Sequence, residues 1–221
     1  MSDEAHLMTE HVLELSNLAC RRGGRMLFSG MDLSLTEGDA ALITGPNGSG
    51  KSSLLRVIAG LIQPLQGQIR WEGQNAQKFS DNFRSAIRYV GHSDGLQPVL
   101  SVLENLKYWS QIYGFSQDLE KLNRGLESVG LSDLSVLPAR VLSAGQRRRL
   151  ALARAIATDG RLWLLDEPTV ALDRQSIKRV ETAISEFRAS GGIVIASTNA
   201  PLNLSDCKAL NISDFHWAEE N

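Results

Sequence analysis

The chain has 221 residues, 43% of them hydrophobic and 22% charged, with a formal net charge of −2. That balance fits one substantial soluble domain and excludes a global electrostatic attraction to nucleic acid or to an anionic membrane. Two distant cysteines, Cys20 and Cys207, exclude a cysteine-rich zinc site and a CxxCH haem attachment, and read as reduced thiols.

In chain order, the N-terminus MSDEAHLMTEH is acidic and polar, unlike a secretory or Arg-rich transit peptide. Strands are expected at Val12 to Leu15, at Leu27 to Leu35 and at the Gly-terminated run "AALITG", Ala40 to Gly45. Ser52 to Ala59 reads as a helix, and Gln68 to Trp71 and Ile87 to Val90 as strands. A helical middle follows, with stripes Val102, Leu106, Trp109, Tyr113 and Leu119, Leu122, Leu126, Val129 forming a small core. Gly145 to Thr158 is a further helix. "RLWLLD" and "GIVIAS" are buried strands on either side of a helix marked by Ile177, Val180, Ile184 and Phe187.

Buried strands alternating with helices predict an α/β fold with a mostly parallel sheet covered on both faces. Ligands then bind at the carboxyl ends of the strands. The expectation is one domain over 1–221, with a helical subdomain at about 92–142 after an N-terminal antiparallel β part. No run of about 18 apolar residues predicts a membrane span. His6, His11, His92 and His216 show no metal-ligand spacing.

"GPNGSGKS", Gly45 to Ser52, is a phosphate loop placed between a strand and a helix. Gly45, Pro46, Asn47, Gly48, Ser49 and Gly50 let backbone amides surround phosphate oxygens, and Ser53 continues the first helical turn. Lys51 is expected on the β- and γ-phosphates of ATP, and the Ser52 hydroxyl on Mg²⁺. "LWLLDEP" puts Asp166 at a strand tip to bind Mg²⁺, with Glu167 beside it as general base. In "LSAGQRRRLALARAIA", Ser143 and Gly145 precede a helix and can present a hydroxyl and amides to phosphate. Arg147 to Arg149 read as a partly exposed helix face, not a nucleic-acid site.

The ordered set of phosphate loop, LSAGQ, "LLDEP" and "VALD" resembles the ATP-binding subunits of ABC transporters over nearly the whole chain. That resemblance implies the P-loop NTPase fold of ABC type and two such subunits facing head to tail. Ser143, Gly145 and Gln146 of one then complete the ATP site of the other, with Asp173 near the seam. The wording "LACRRGGRMLFSGMDLSL", "GQIRWEGQ" and "YVGHSDGL" is similar to the haem-exporter branch that serves cytochrome c maturation. The branch implies integral membrane partner subunits and ATP hydrolysis that drives release of a haem-loaded chaperone. It places the protein peripherally, on the cytoplasmic face of a bacterial inner membrane or the matrix face of the mitochondrial one. Haem itself is not expected to bind this chain, because no residue pattern here indicates it.

Three positions depart from the family. The strand after the phosphate loop usually leads to a Gln that binds Mg²⁺ and senses the membrane partner; that place is filled by Ser93, or by His92 if one residue is skipped, and Gln97 is too near the helix to substitute. Asn199 stands where the family has a His that orients the attacking water. No aromatic residue lies near Ala19 or Cys20 to stack on adenine, which leaves Arg21, Arg22 or Arg25. Losing one preorganised donor costs roughly 10²–10³ in rate, so the expectation is intact ATP binding with slow hydrolysis. The alternatives are a soluble ABC-type ATPase, or a nucleotide-gated module that hardly hydrolyses.

Overall fold

A computed structural model describes residues 12–76, 81–115, 117–200 and 202–215. His6, His11 and His216 lie outside them. Two sheets organise the described residues. The first is antiparallel, in the order β2-β1-β4-β5, from β1 (Leu13–Arg22), β2 (Arg25–Leu35), β4 (Gln66–Trp71) and β5 (Gln74–Asn75). The first strand runs well beyond the expected Val12 to Leu15. The pair Gly23–Gly24 turns the chain with positive φ at both residues (56° and 80°), so "LACRR" can fold back onto β2. That turn matches the twist of the flanking strands.

The second sheet is parallel, in the order β6-β7-β8-β3-β9. It contains β3 (Ala40–Thr44), β6 (Ile87–Val90), β7 (Leu162–Asp166), β8 (Ile193–Ser197) and β9 (Cys207–Asn211). Every residue of β7 and β8 is buried, as their unbroken apolar runs require of central parallel strands. Asp166 pairs with Ser197 and Ile43 with Ser197, so the carboxyl ends of β3, β7 and β8 lie side by side.

Helix α1 (Lys51–Ile58) packs between the sheets, with Leu54, Leu55, Val57 and Ile58 in a core shared with Leu13, Phe28 and Ile195. After the short α2 (Asp81–Ala86), the helical layer holds α3 (Val102–Ile112), α4 (Leu119–Ser128) and one face of α5 (Ala144–Ile156). Its core gathers Val102, Leu106, Leu122, Leu126 and Val129 with Leu150 and Ala153 of α5. The opposite face of α5, with Ala151, Leu152 and Ala155, joins the core of α6 (Arg174–Ala189) and the parallel sheet. One helix therefore ties the helical layer to the sheet.

Two expectations about the helical core do not hold. Leu119 is 53% exposed, because it opens α4 on the solvent side. Trp109 and Tyr113 lie partly buried against cations: the Arg154 guanidinium sits 4.1 Å from the Trp109 ring centre and that of Arg88 4.4 Å from Tyr113. Such stacks let an indole and a phenol cover buried charge. Both cysteines are free, and burial pushes the Cys20 thiol up, away from the reactive thiolate.

Candidate active site

The turn from β3 into α1 is built by Gly45 to Gly50. Gly50, the N-cap of α1, has φ 112°, and a Cβ there would lie 3.1 Å from Leu27 Cβ. Only glycine meets both demands at low cost. The first amides of α1 have no partner inside the helix, and with the helix dipole they suit an anion. Lys51 is only 6% exposed. Its ammonium donates to the carbonyls of Gly45 (2.7 Å) and Pro46 (3.0 Å) and to Asn199 Oδ1 (2.9 Å). The backbone thus holds a cation at the centre of the loop.

Asp166 ends β7 fully buried. Its Oδ1 accepts from the hydroxyls of Ser52 (2.9 Å) and Ser197 (2.7 Å), while Oδ2 has no hydrogen-bond partner among the described residues. Glu167 follows with φ 52°, a left-handed conformation rare outside glycine. Its amide donates to Ser197 O (3.0 Å) and Ser197 Oγ (3.2 Å). Its carboxylate is gripped by one residue: Asn199 donates from the backbone to Oε2 (3.0 Å) and from Nδ2 to Oε1 (2.7 Å). The same Nδ2 also donates to Asn47 Oδ1 at 2.6 Å.

The polar tip of β8 therefore divides its work. Ser197 holds the Asp166–Glu167 corner, Thr198 closes the following turn through Ala200, and Asn199 bridges the Lys51 and Glu167 sides of the site. Asn199 does so by accepting and donating at once, which suits an amide. The supporting part played by Ser197 was not read from sequence. Its β-register opposite Asp166 is the only signal, and that needs the sheet.

An open cleft of about 850 Å³ collects Asn47, Gly48, Gly50, Lys51, Ser52, Ser53, Glu167 and Asn199. Arg22, Arg25 and Leu27 of the β1–β2 hairpin line it too, whereas Arg21 does not. His92 lines the cleft, but Ser93 is exposed and not among its lining residues. The loop leaving β6 turns between them and presents the imidazole, so the expectation of Ser93 as a metal ligand lacks placement here. Ser49 is buried behind the loop, and its hydroxyl has no partner among the described residues.

The LSAGQ segment is not part of this cleft. Ser143 is the N-cap of α5 in a capping box: its hydroxyl accepts from the Gln146 amide (3.2 Å), and Gln146 Oε1 accepts from the Ser143 amide (2.8 Å). The Ser143 hydroxyl proton is still able to donate, and Ser143 is exposed. A Cβ on Gly145 would stand 2.7 Å from Ala171 O, so glycine lets "VALD" pass beside the helix start. Asp173 caps α6 by accepting from the Ser176 amide at 2.7 Å, which holds its carboxyl below the ordinary aspartate range. Arg147 and Arg149 reach the carbonyls of Leu142 and of Val129 and Gly130. Arg148 contradicts the reading of a partly exposed face: it is buried, because the ends of β6 and β7 lie directly over its turn of α5.

Comparison with known proteins agrees with this geometry. The ABC transporter family model matches residues 28–170. The chain is 44% identical over 217 residues to the cytochrome c biogenesis ATP-binding export protein CcmA of Paramagnetospirillum magneticum, covering 96% of this chain and 99% of that protein. A putative ABC transporter ATP-binding protein from Pyrococcus furiosus has a TM-score of 0.82 at 28% identity, covering 92% of this chain and 98% of the other. A dimeric ATP-binding cassette in a post-hydrolysis state, bound to ADP and Pi, has a TM-score of 0.76 at 26% identity over 85% of this chain and 88% of that one.

Proposed function

This chain belongs to the ABC transporter family as an ATP-binding and ATP-hydrolysing subunit, and on that premise we propose that it energises the haem exporter of cytochrome c biogenesis. The observation that carries the catalytic part is the bridging of Lys51, Asn47 and Glu167 by Asn199 within one cleft. In the proposed mechanism the loop amides and Lys51 hold the β- and γ-phosphates of ATP. A water held by the Glu167 carboxylate attacks the γ-phosphorus, its proton passes to Glu167, and the bond to the ADP oxygen breaks. Asn199 fixes both Glu167 oxygens, so the base is oriented before the substrate arrives. Arg22 and Arg25 offer guanidinium planes to the adenine in place of an aromatic ring.

The residues present fit Mg²⁺. Asp166 Oδ2 is a buried carboxylate oxygen without a partner among the described residues, and Ser52 Oγ lies on the other oxygen of the same carboxylate. Both are the hard oxygen donors that Mg²⁺ takes. When bound there, the ion neutralises charge on the transferring phosphate.

Ser143, Gly145 and Gln146 lie outside the cleft of their own chain, which supports a head-to-tail pair in which each LSAGQ segment caps the partner's ATP. The related cassette is dimeric, which fits a paired site, and the family resemblance implies Asp173 near the seam. Residues 1–221 then form one ABC-type domain with a helical subdomain at about 92–142, and integral membrane subunits are its partners. No helix among the described residues is long and apolar enough to cross a membrane. Peripheral attachment through those subunits, on the cytoplasmic or matrix face of an inner membrane, fits this. A slow, nucleotide-gated module is the second reading, favoured by an amide at position 199.

The deciding experiment is Glu167→Gln in the full chain purified with its membrane subunits. ATP should still bind, and phosphate release should stall. Turnover within a few-fold of the parent would remove Glu167 as base. Failure to recover membrane subunits and a haem-containing chaperone from solubilised membranes would remove the transport assignment.

A further inference from the structure

The ion pair of Arg148 and Asp94 is not used by any part of the mechanism above. Arg148 lies on α5, five residues after the Ser143 cap, with 5% of its side chain exposed. Its two terminal nitrogens reach two separate segments. Nη1 donates to Gly91 O (2.7 Å) and to Asp94 Oδ1 (3.3 Å), both on the loop that leaves β6. Nη2 donates to the carbonyls of Asp166 and of Glu167, the latter at 3.1 Å.

We propose that Arg148 is a positioning residue that sets the Glu167 carboxylate, and that Asp94 holds the Arg148 guanidinium in register for this task. The argument turns on the Glu167 backbone. A non-glycine residue at φ 52° is strained and persists only where its surroundings hold it. Ser197 holds the amide of Glu167, and Arg148 holds its carbonyl and the one before it. The corner is therefore gripped from both sides, which aims the side chain at Asn199. Without the guanidinium, the left-handed residue can relax and swing its carboxylate out of the cleft. A misplacement of about 1 Å at a reacting group can cost on the order of 10²-fold in rate.

Asp94 matters because, among the described residues, the other hydrogen bonds of Arg148 go to backbone carbonyls. The carboxylate is the one charged acceptor of this guanidinium among the described residues, and it is 25% exposed on the loop beside His92. Arg154, six residues along α5, fastens the same loop through the carbonyls of Asp94 (3.2 Å) and Tyr89 (2.9 Å). The loop backbone thus has a second fastening besides the bond from Arg148 to Gly91 O. Neutralising Asp94 then loosens the guanidinium without releasing the loop.

This proposal rests on Glu167 being the base, and the test separates the two. Four variants of the full chain, each assembled with the membrane subunits, are compared: Asp94→Asn, Arg148→Lys, Arg148→Gln and Glu167→Gln. Turnover number, KM and the Kd of a non-hydrolysable ATP analogue are measured for each. Asp94→Asn should lower kcat by roughly threefold to tenfold with Kd within about twofold of the parent. Arg148→Gln should lose more, and Arg148→Lys should recover part of that loss. Asp94→Asn added to Arg148→Lys should cost less than the product of the two single effects, since both act through one contact. If Glu167→Gln is inactive while Asp94→Asn and Arg148→Lys keep kcat within twofold of the parent, the positioning role is wrong and the base assignment stands. If Glu167→Gln turns over like the parent, both fall. Should the Arg148 variants fail to fold, the partly exposed Asp94→Asn decides alone by its split between kcat and Kd.

Discussion

Replacing Asn199 isolates the contact on which the catalytic reading depends. Asn199→Ala deletes the donations to Glu167 Oε1 and Asn47 Oδ1 and the acceptance from Lys51, but leaves the backbone donation to Glu167 Oε2. Hydrogen bonds to charged groups contribute roughly 1.5–3 kcal/mol when buried. Asn199 is exposed, so about 1 kcal/mol for each of the Lys51 and Glu167 contacts is the appropriate scale. A loss of about 2 kcal/mol from the transition state lowers kcat by about 30-fold. Asn199→Asp sharpens the test because it keeps shape and the Lys51 acceptor. It turns the donor facing Glu167 into a like charge, and at about 4 Å the repulsion runs from roughly 1 kcal/mol in water to about 4 kcal/mol near a protein surface. Its kcat should fall below that of Asn199→Ala. Asn199→His, whose neutral ring has one donor and one acceptor, should keep the Lys51 and Glu167 contacts and match or exceed the parent. Phosphate release at saturating ATP, measured on the complex with membrane subunits, gives the ranking, and nucleotide titration checks that affinity is little changed. An Ala variant within threefold of the parent, or an Asp variant as active as Ala, would refute the role assigned to the amide.

The shared site is tested by mixing subunits: a dimer with Ser143→Arg on one copy and Lys51→Ala on the other should keep one working site, because both changes fall in the same site, whereas both changes on one copy should leave none. If the dimer with one change on each copy lost both sites, head-to-tail pairing would be wrong. Asn105 is fully buried at the start of the helical layer, bonded to Gln97 N and to the carbonyls of Gln97, Leu100 and Ser101. Asn105→Leu should therefore cost about 2–4 kcal/mol in urea unfolding, and a loss under about 1 kcal/mol would mean that the loop satisfies itself. Asp173 has its carboxyl held low by the Ser176 amide, so its support of α6 is complete above the ordinary aspartate range and is lost as pH falls through its depressed value. Asp173→Asn should flatten the acid side of the Tm–pH curve, and an unchanged slope from the ordinary aspartate range downward would contradict the cap.

The chemistry-bearing motifs were legible in the sequence because each is local. A glycine turn between a strand and a helix, a carboxylate pair at the end of "LWLL" and a capping serine before α5 are fixed by neighbours within a few residues. The departure at Asn199 was legible for the same reason, although what the amide does there was not. Its double duty toward Lys51 and Glu167 exists only because β3, β7 and β8 lie side by side. Long-range placement explains the other differences. Arg148 looked like one of three surface arginines, since helical spacing does not reveal that two strand ends cover its turn. Strand β9 went unread because "CKALN" is largely exposed at the sheet edge and lacks an apolar signature; its pairing with β3 comes from the sheet alone. His92 rather than Ser93 lines the cleft because the loop is steered by Arg148 and Arg154 from a helix more than fifty residues away in sequence. Side-chain periodicity fixes which residues share a face, but a site made of the ends of three strands is assembled by pairing between distant segments, and only the folded chain supplies that.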